Sequence, residues 1–131
     1  LFPENKKLRA EVIRFCEVIN AGIQPLQNLK ILGYLEKRYP NDKTIREDWL
    51  KKWVGEGMAI VEQLLEKSSQ TYCFGNTLTA ADVLLVPQVV SSNRFGVDTK
   101  QFTRITHVYE NCSKLKAFEE AHPSKQPDFE Q

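Results

Sequence analysis

Apolar side chains return every third or fourth position along the first quarter of the chain, at Leu8, Val12, Cys16, Ile19, Ile23, Leu26, Leu29, Leu32 and Leu35, with polar residues between them. This is the stripe of an amphipathic helix, and its extent predicts one long helix over about residues 3–39. Pro25 lies inside it, where the ring removes one i to i−4 hydrogen bond and crowds the preceding turn, and Gly22 stands just before, so a kink or local break is expected there. Residues 39–44, YPNDKT, end that helix and start another, with Thr44 placed as N-cap and Glu47 at the matching capping-box position. The second helix runs back antiparallel. Its expected buried face is Ile45, Trp49, Trp53, Ile60, Val61, Leu64 and Leu65, and Glu47 with Lys51 and Asp48 with Lys52 are spaced as i, i+4 pairs on the wet side.

Residues 68–77 form a polar loop in which Tyr72, Cys73 and Phe74 are expected to tuck inward. The loop delivers Thr77-Leu-Thr-Ala-Ala-Asp-Val-Leu, the sharpest local signal in the chain. Thr79 is spaced to cap the amide of the third helical residue with its hydroxyl, and Asp82 to return its carboxylate to the Thr79 amide, with Leu78 and Val83 as the accompanying hydrophobic staple. The helix that follows holds Val83, Leu84, Leu85, Val86, Val89 and Val90, apolar nearly all round, which places it at the domain centre, and Pro87 inside it predicts a second kink. A turn at Gly96, a helix over about 103–111, a short one over about 113–121, and a polar tail over 124–131 expected to fray complete the chain. With no internal repeat and no strand alternation, the fold class is all-α: one helical bundle with a long kinked first helix and a buried central helix.

The length of 131 residues suits a single domain, able to withdraw roughly two-thirds of its unfolded surface from water. Its 18 basic and 17 acidic side chains leave a net charge of +1, so no domain-wide field draws nucleic acid or an anionic membrane, and neither is expected as a partner. No apolar run approaches the roughly 18 residues of a spanning helix, and LFPENKK lacks the regions of a signal peptide, so a soluble, cytoplasmic chain is expected. Cys16, Cys73 and Cys112 are odd in number and scattered, which argues against a disulfide framework, and His107 and His122 stand apart from acids at ligand spacing, so no metal is expected.

Among groups that could carry chemistry, Asp82 is an acid amid apolar residues, but its spacing from Thr79 assigns it to folding as a buried cap. Cys16 belongs to an apolar stripe and reads as core, while Trp49 and Trp53 read as core or subunit contact. Gln24 and Asn28 flank Pro25, where polar side chains either satisfy backbone groups freed by the proline or face a ligand at the bend. Arg94, beside Phe95, follows the central helix. Its guanidinium either holds a substrate carboxylate bidentately next to an apolar wall, or caps the helix end or makes a surface ion pair.

Three stretches together, Asn20-Ala-Gly-Ile-Gln-Pro-Leu-Gln-Asn-Leu, the box Thr79-Ala-Ala-Asp82, and Leu85-Val-Pro-Gln-Val followed by Asn93-Arg-Phe-Gly-Val-Asp, resemble the zeta-class glutathione transferases, the maleylacetoacetate isomerase family. The box resembles the folding motif of the whole superfamily, and the other two are specific to the class. The likeness runs from Leu1 to the His-Pro-Ser-Lys-Gln-Pro-Asp segment at 122–128; it departs at Lys100-Gln-Phe-Thr-Arg, where the family tends to carry proline. It implies an all-helical C-terminal domain whose partner, an N-terminal thioredoxin-like domain with the thiol-activating Ser and Cys residues, lies outside residues 1–131. It implies glutathione as cofactor, touched by Gln24, Asn28, Leu29 and Lys30; a small-molecule substrate bound by Arg94 and Phe95; no catalytic residue in this half; a homodimeric full-length enzyme; and cis-trans isomerisation in tyrosine and phenylalanine catabolism. Two other uses of the fold stay open on these residues: a non-catalytic protein-interaction module, and a carrier using the apolar pocket.

Overall fold

The computed structural model describes residues 1–127, and the end of the expected frayed tail, 128–131, lies outside the described residues. The first helix does not run through. It is built as α1 (Lys6–Glu17), a π-helical turn (Val18–Ile23), a 3-10 turn (Gln24–Gln27) and α2 (Leu29–Arg38). Asn5 starts α1 by accepting the Leu8 amide at 3.0 Å. In the π turn the Gln24 amide reaches back five residues, to the Ile19 carbonyl. Pro25 opens the 3-10 turn with no amide to give. Asn28 then leaves helical space altogether, at φ −66° and ψ 137°, and its side chain caps α2 by accepting from the Lys30 amide at 2.9 Å. The bend expected at Pro25 is thus a break and restart, which shifts the phase of the stripe: Leu32 and Leu35 remain buried, whereas Leu29 is 71% exposed.

The second long helix, α3 (Ile45–Leu65), turns a different face inward from the one its tryptophans suggested. Leu50, Val54, Met58, Val61 and Leu65 are buried, while Ile45, Trp49 and Leu64 are half-buried and Trp53 and Ile60 lie on the surface. The reason is what approaches the helix. Gly57 admits Ile23 of the π turn so closely that a Cβ on Gly57 would stand 2.5 Å from Ile23 Cγ1. Thr44 does not cap α3 with its side chain. Its hydroxyl lies 2.7 Å from Asp48 and 3.1 Å from Asp42, so Glu47 is released to Lys51 and Lys52 pairs with Glu56 in place of Asp48.

After the loop, where Cys73 is buried and Phe74 meets Phe15 edge-on at 5.9 Å, comes α4 (Ala80–Arg94), which packs against α1 and α5. Its capping box closes as expected. Val83, the expected staple partner of Leu78, is however 45% exposed. The helix also continues unbroken through Pro87; Pro87 and Val83, the residue whose carbonyl loses a donor, both lie on its exposed side. Gly96, at φ 79°, closes α4 with the Val97 amide bonded to the Ser92 carbonyl and the Gly96 amide to that of Asn93.

A 3-10 turn (Thr99–Gln101) leads to α5 (Thr103–Ser113), then α6 (Lys116–Glu120) and a last 3-10 turn (Pro123–Lys125). Phe102, at the N-cap of α5, has no capping side chain. The cap comes from α3: the Glu62 carboxylate accepts the Arg104 and Ile105 amides, each at 3.0 Å. No strand occurs among the described residues.

Candidate functional site

The break between α1 and α2 carries four of the expected ligand residues. Gln24 is half-buried, and Asn28, Leu29 and Lys30 are exposed at the start of α2. The Asn28 side-chain oxygen is occupied by the Lys30 amide, which leaves its NH2 group free of partners among the described residues; the Gln24 side chain likewise bonds no protein group there. The Gln24 side chain therefore serves no backbone group freed by Pro25, whereas the Asn28 oxygen serves the Lys30 amide left open where α2 restarts. A π turn costs regular hydrogen-bond geometry and recurs at functional positions, and here it ends at the half-buried Gln24.

What holds the break in place comes from the rest of the molecule. The Trp49 indole N–H donates to the Leu26 carbonyl at 2.8 Å. Gln27 and Gln88 exchange hydrogen bonds at 3.0 and 3.3 Å, and Gln88 also donates to Ser92 at 3.2 Å. Sequence reasoning missed Gln27, Gln88 and Gly57. Their available signals were a polar residue inside an apolar helix, at Gln88, and a glycine inside a regular one, at Gly57.

Arg94 and Phe95 line a cavity of about 360 Å³ together with Leu50 and the charged side chains of Glu36, Lys43, Arg46 and Glu47. The Gly96 turn satisfies the end of α4 with backbone groups. Both acids of the cavity are engaged, Glu36 by Arg46 at 3.2 Å and Glu47 by Lys51, and Arg94 makes no ion pair among the described residues. An exposed cation thus faces an opening walled by Leu50 and Phe95, a combination that suits an anion with an apolar body. The break does not line this cavity; it reaches α4 through Gln27 and Gln88.

Asp82 is wholly buried and accepts from the Thr79 amide at 2.8 Å, the Thr79 hydroxyl at 3.0 Å and the Cys73 amide at 2.8 Å. All three cysteines are buried free thiols. Burial, with the Asp82 charge adding to it, pushes the Cys73 thiol far up and the Cys112 thiol up to about 12; burial also raises Cys16. Protonated thiols of this kind are poor nucleophiles. His122 caps the last 3-10 turn by accepting from the Ser124 amide, and His107 contacts Asn111. No group of three His, Cys, Asp or Glu side chains is placed to hold a metal among the described residues.

Residues 28–124 match the model of the glutathione S-transferase C-terminal domain, and the chain belongs to that family. Several of the similar proteins carry isomerase names. The chain is 37% identical over 130 residues to the maleylacetoacetate isomerase of Dictyostelium discoideum, an alignment that covers 99% of this chain and 59% of that protein. It superposes with a TM-score of 0.93, at 32% identity, on the crystal structure of maleylacetoacetate isomerase from Anaeromyxobacter dehalogenans with bound dicarboxyethyl glutathione and citrate, covering 100% of this chain and 60% of that one. A maleylpyruvate isomerase described as a bacterial glutathione S-transferase in the Zeta class also gives 0.93, at 36% identity, over 99% of this chain and 62% of that one. The chain spans 59% to 62% of the length of these relatives.

Proposed function

We propose that this chain is the C-terminal domain of a zeta-class, glutathione-dependent maleylacetoacetate cis-trans isomerase. It completes the glutathione site with Gln24, Asn28, Leu29 and Lys30, and it forms the substrate site with Arg94 and Phe95. The observation that carries the reading is Arg94, exposed and without an acid partner among the described residues, on a cavity that also presents Leu50 and Phe95 beside other charged side chains. Relatives at 32% to 37% identity bear the isomerase name, and one of them holds glutathione substituted by a dicarboxylic group.

The unpartnered amides of Gln24 and Asn28 suit a peptide ligand rich in carbonyl and carboxylate acceptors. Bound there, glutathione supplies a thiolate that adds reversibly to the maleyl double bond, so that rotation takes place about a single bond before the double bond is restored in the trans form. Arg94 holds a substrate carboxylate with two parallel N–H donors and so fixes one end of the molecule. Phe95 and Leu50 exclude water from its carbon chain. The residues that activate the thiol belong, in this reading, to an N-terminal thioredoxin-like domain. The exposed Val83 and Pro87 side of α4 supplies an apolar face for it. The full enzyme is a cytoplasmic homodimer of tyrosine and phenylalanine catabolism.

The test is kinetic, on the full-length enzyme. Arg94→Ala raises KM for maleylacetoacetate by about tenfold or more, because a charge-assisted hydrogen bond is lost, and leaves KM for an uncharged electrophile and the affinity for glutathione nearly unchanged. Arg94→Lys recovers part, since the ammonium keeps the charge and loses the fork. Equal losses with charged and neutral substrates would return Arg94 to a structural place at the end of α4.

A further inference from the structure

Two of the stretches that carry the family resemblance each contain a glutamine for which the reaction has no use, Gln27 in the first and Gln88 in Leu85-Val-Pro-Gln-Val. In the fold the two are bonded to each other across 61 positions of sequence. Gln88 is 1% exposed, on the buried side of α4. Burying a primary amide is unfavourable unless its two N–H groups and its oxygen all find partners. They do: Gln88 donates to Gln27 Oε1 at 3.0 Å and to Ser92 Oγ at 3.2 Å, and accepts from Gln27 Nε2 at 3.3 Å.

Gln27 closes the 3-10 turn that Pro25 opens, between Gln24 and Asn28. This stretch is weakly held by its own backbone: Pro25 has no amide, and the Asn28 amide meets the Pro25 carbonyl at a long 3.4 Å. Its position is set from outside instead, by Trp49 of α3 on the Leu26 carbonyl and by Gln88 of α4 on the Gln27 side chain. We propose that Gln88 is a positioning residue for the glutathione site, holding the 3-10 turn through Gln27 so that Gln24 and Asn28 face the ligand. The inference rests on reading the break as a glutathione contact.

The experiment uses the full-length two-domain enzyme with Gln27→Leu, Gln88→Leu and their double variant, and a separate Gln24→Ala/Asn28→Ala control. Glutathione affinity is read by calorimetry, KM for the electrophile by kinetics, and the Trp49 indole N–H by its proton–nitrogen NMR resonance. Gln27 is only partly buried, so its replacement is the variant that keeps the fold. Gln27→Leu weakens glutathione about tenfold, the equivalent of one lost hydrogen bond in orienting the site, changes the electrophile KM by less than about twofold, and shifts the Trp49 resonance. The double variant loses no more affinity than either single one, because the pair acts as a unit. Unchanged affinity and an unmoved Trp49 signal in Gln27→Leu, with only a lower thermal midpoint, would overturn the proposal and leave the pair as core packing. The control separates the two failures: if Gln24→Ala/Asn28→Ala weakens glutathione while Gln27→Leu does not, positioning alone is wrong, and if the control itself binds normally, the glutathione reading falls and the inference with it.

Discussion

Asp82 receives two backbone amides and a hydroxyl at distances of 2.8 to 3.0 Å without any contact with solvent, and so joins the start of α4 to the loop at Cys73. Removing the carboxylate leaves two buried N–H groups without acceptors, which costs more than the loss of an exposed cap. Asp82→Ala is expected to lower stability by about 3 kcal/mol, a large share of what a domain of this size has, read as a shifted urea midpoint. An unchanged midpoint together with lost activity of the full-length enzyme would instead make Asp82 part of the chemistry. The neighbouring thiols of Cys73 and Cys112, raised by burial and by the Asp82 charge, stay protonated at neutral pH, which leaves the nucleophile to the bound peptide thiol of the proposed reaction.

Elements in this fold begin and end for reasons of different range. The restart at α2 is local, since Asn28 caps two residues ahead of itself, and so is the stop of α4 at Gly96. The start of α5 is not. Lys100-Gln-Phe-Thr-Arg contains no side chain that caps the helix, and the acceptor is Glu62, on another helix and only 16% exposed, which also meets Arg104 at 3.3 Å. Glu62→Ala is expected to cost about 1–2 kcal/mol, the usual value of a lost cap, and to speed hydrogen exchange at the amides of Arg104 and Ile105 above that of the rest of α5. Glu62→Gln, which retains an acceptor oxygen, recovers part of the loss. Uniform exchange along α5 in both variants would show that the cap is not what anchors its first turn.

At the scale of the molecule, most of the groups assigned to ligands stand at the surface of the bundle. Asn28, Leu29, Lys30 and Arg94 are all exposed, and the cavity that Arg94 lines is open to solvent. Residues 1–131 by themselves are therefore expected to bind glutathione at least about a hundredfold more weakly than the proposed two-domain enzyme, because affinity depends on contacts that enclose the ligand. Calorimetry on the two proteins decides it, and micromolar binding by the chain alone would place the site elsewhere. Among the described residues no helix is long and apolar enough to cross a membrane.

The all-helical class, the interruption near Pro25 and the capping box from Thr79 to Asp82 were legible in the sequence, because each depends on residues within a turn or two of one another, and the family was legible from three such local stretches taken together. Pattern alone showed that α3 was amphipathic and found Val61 and Leu65 of its buried face, but it placed Trp53 and Ile60 inward and left out Leu50, Val54 and Met58. In the fold the close approach of Ile23 to Gly57 brings the Val54, Met58 and Val61 side inward and leaves Trp53 and Ile60 at the surface. The same holds for the polar contacts. Glu62 capping a helix 42 residues away, Gln88 answering Gln27, and Arg94 sharing a cavity with Leu50 are pairings between distant segments, and no periodicity in one segment specifies its partner. Local hydrogen bonding and hydrophobic spacing determined which elements form. Packing between them decided which faces are buried and which polar groups meet, since burial is a property of the neighbour as much as of the residue.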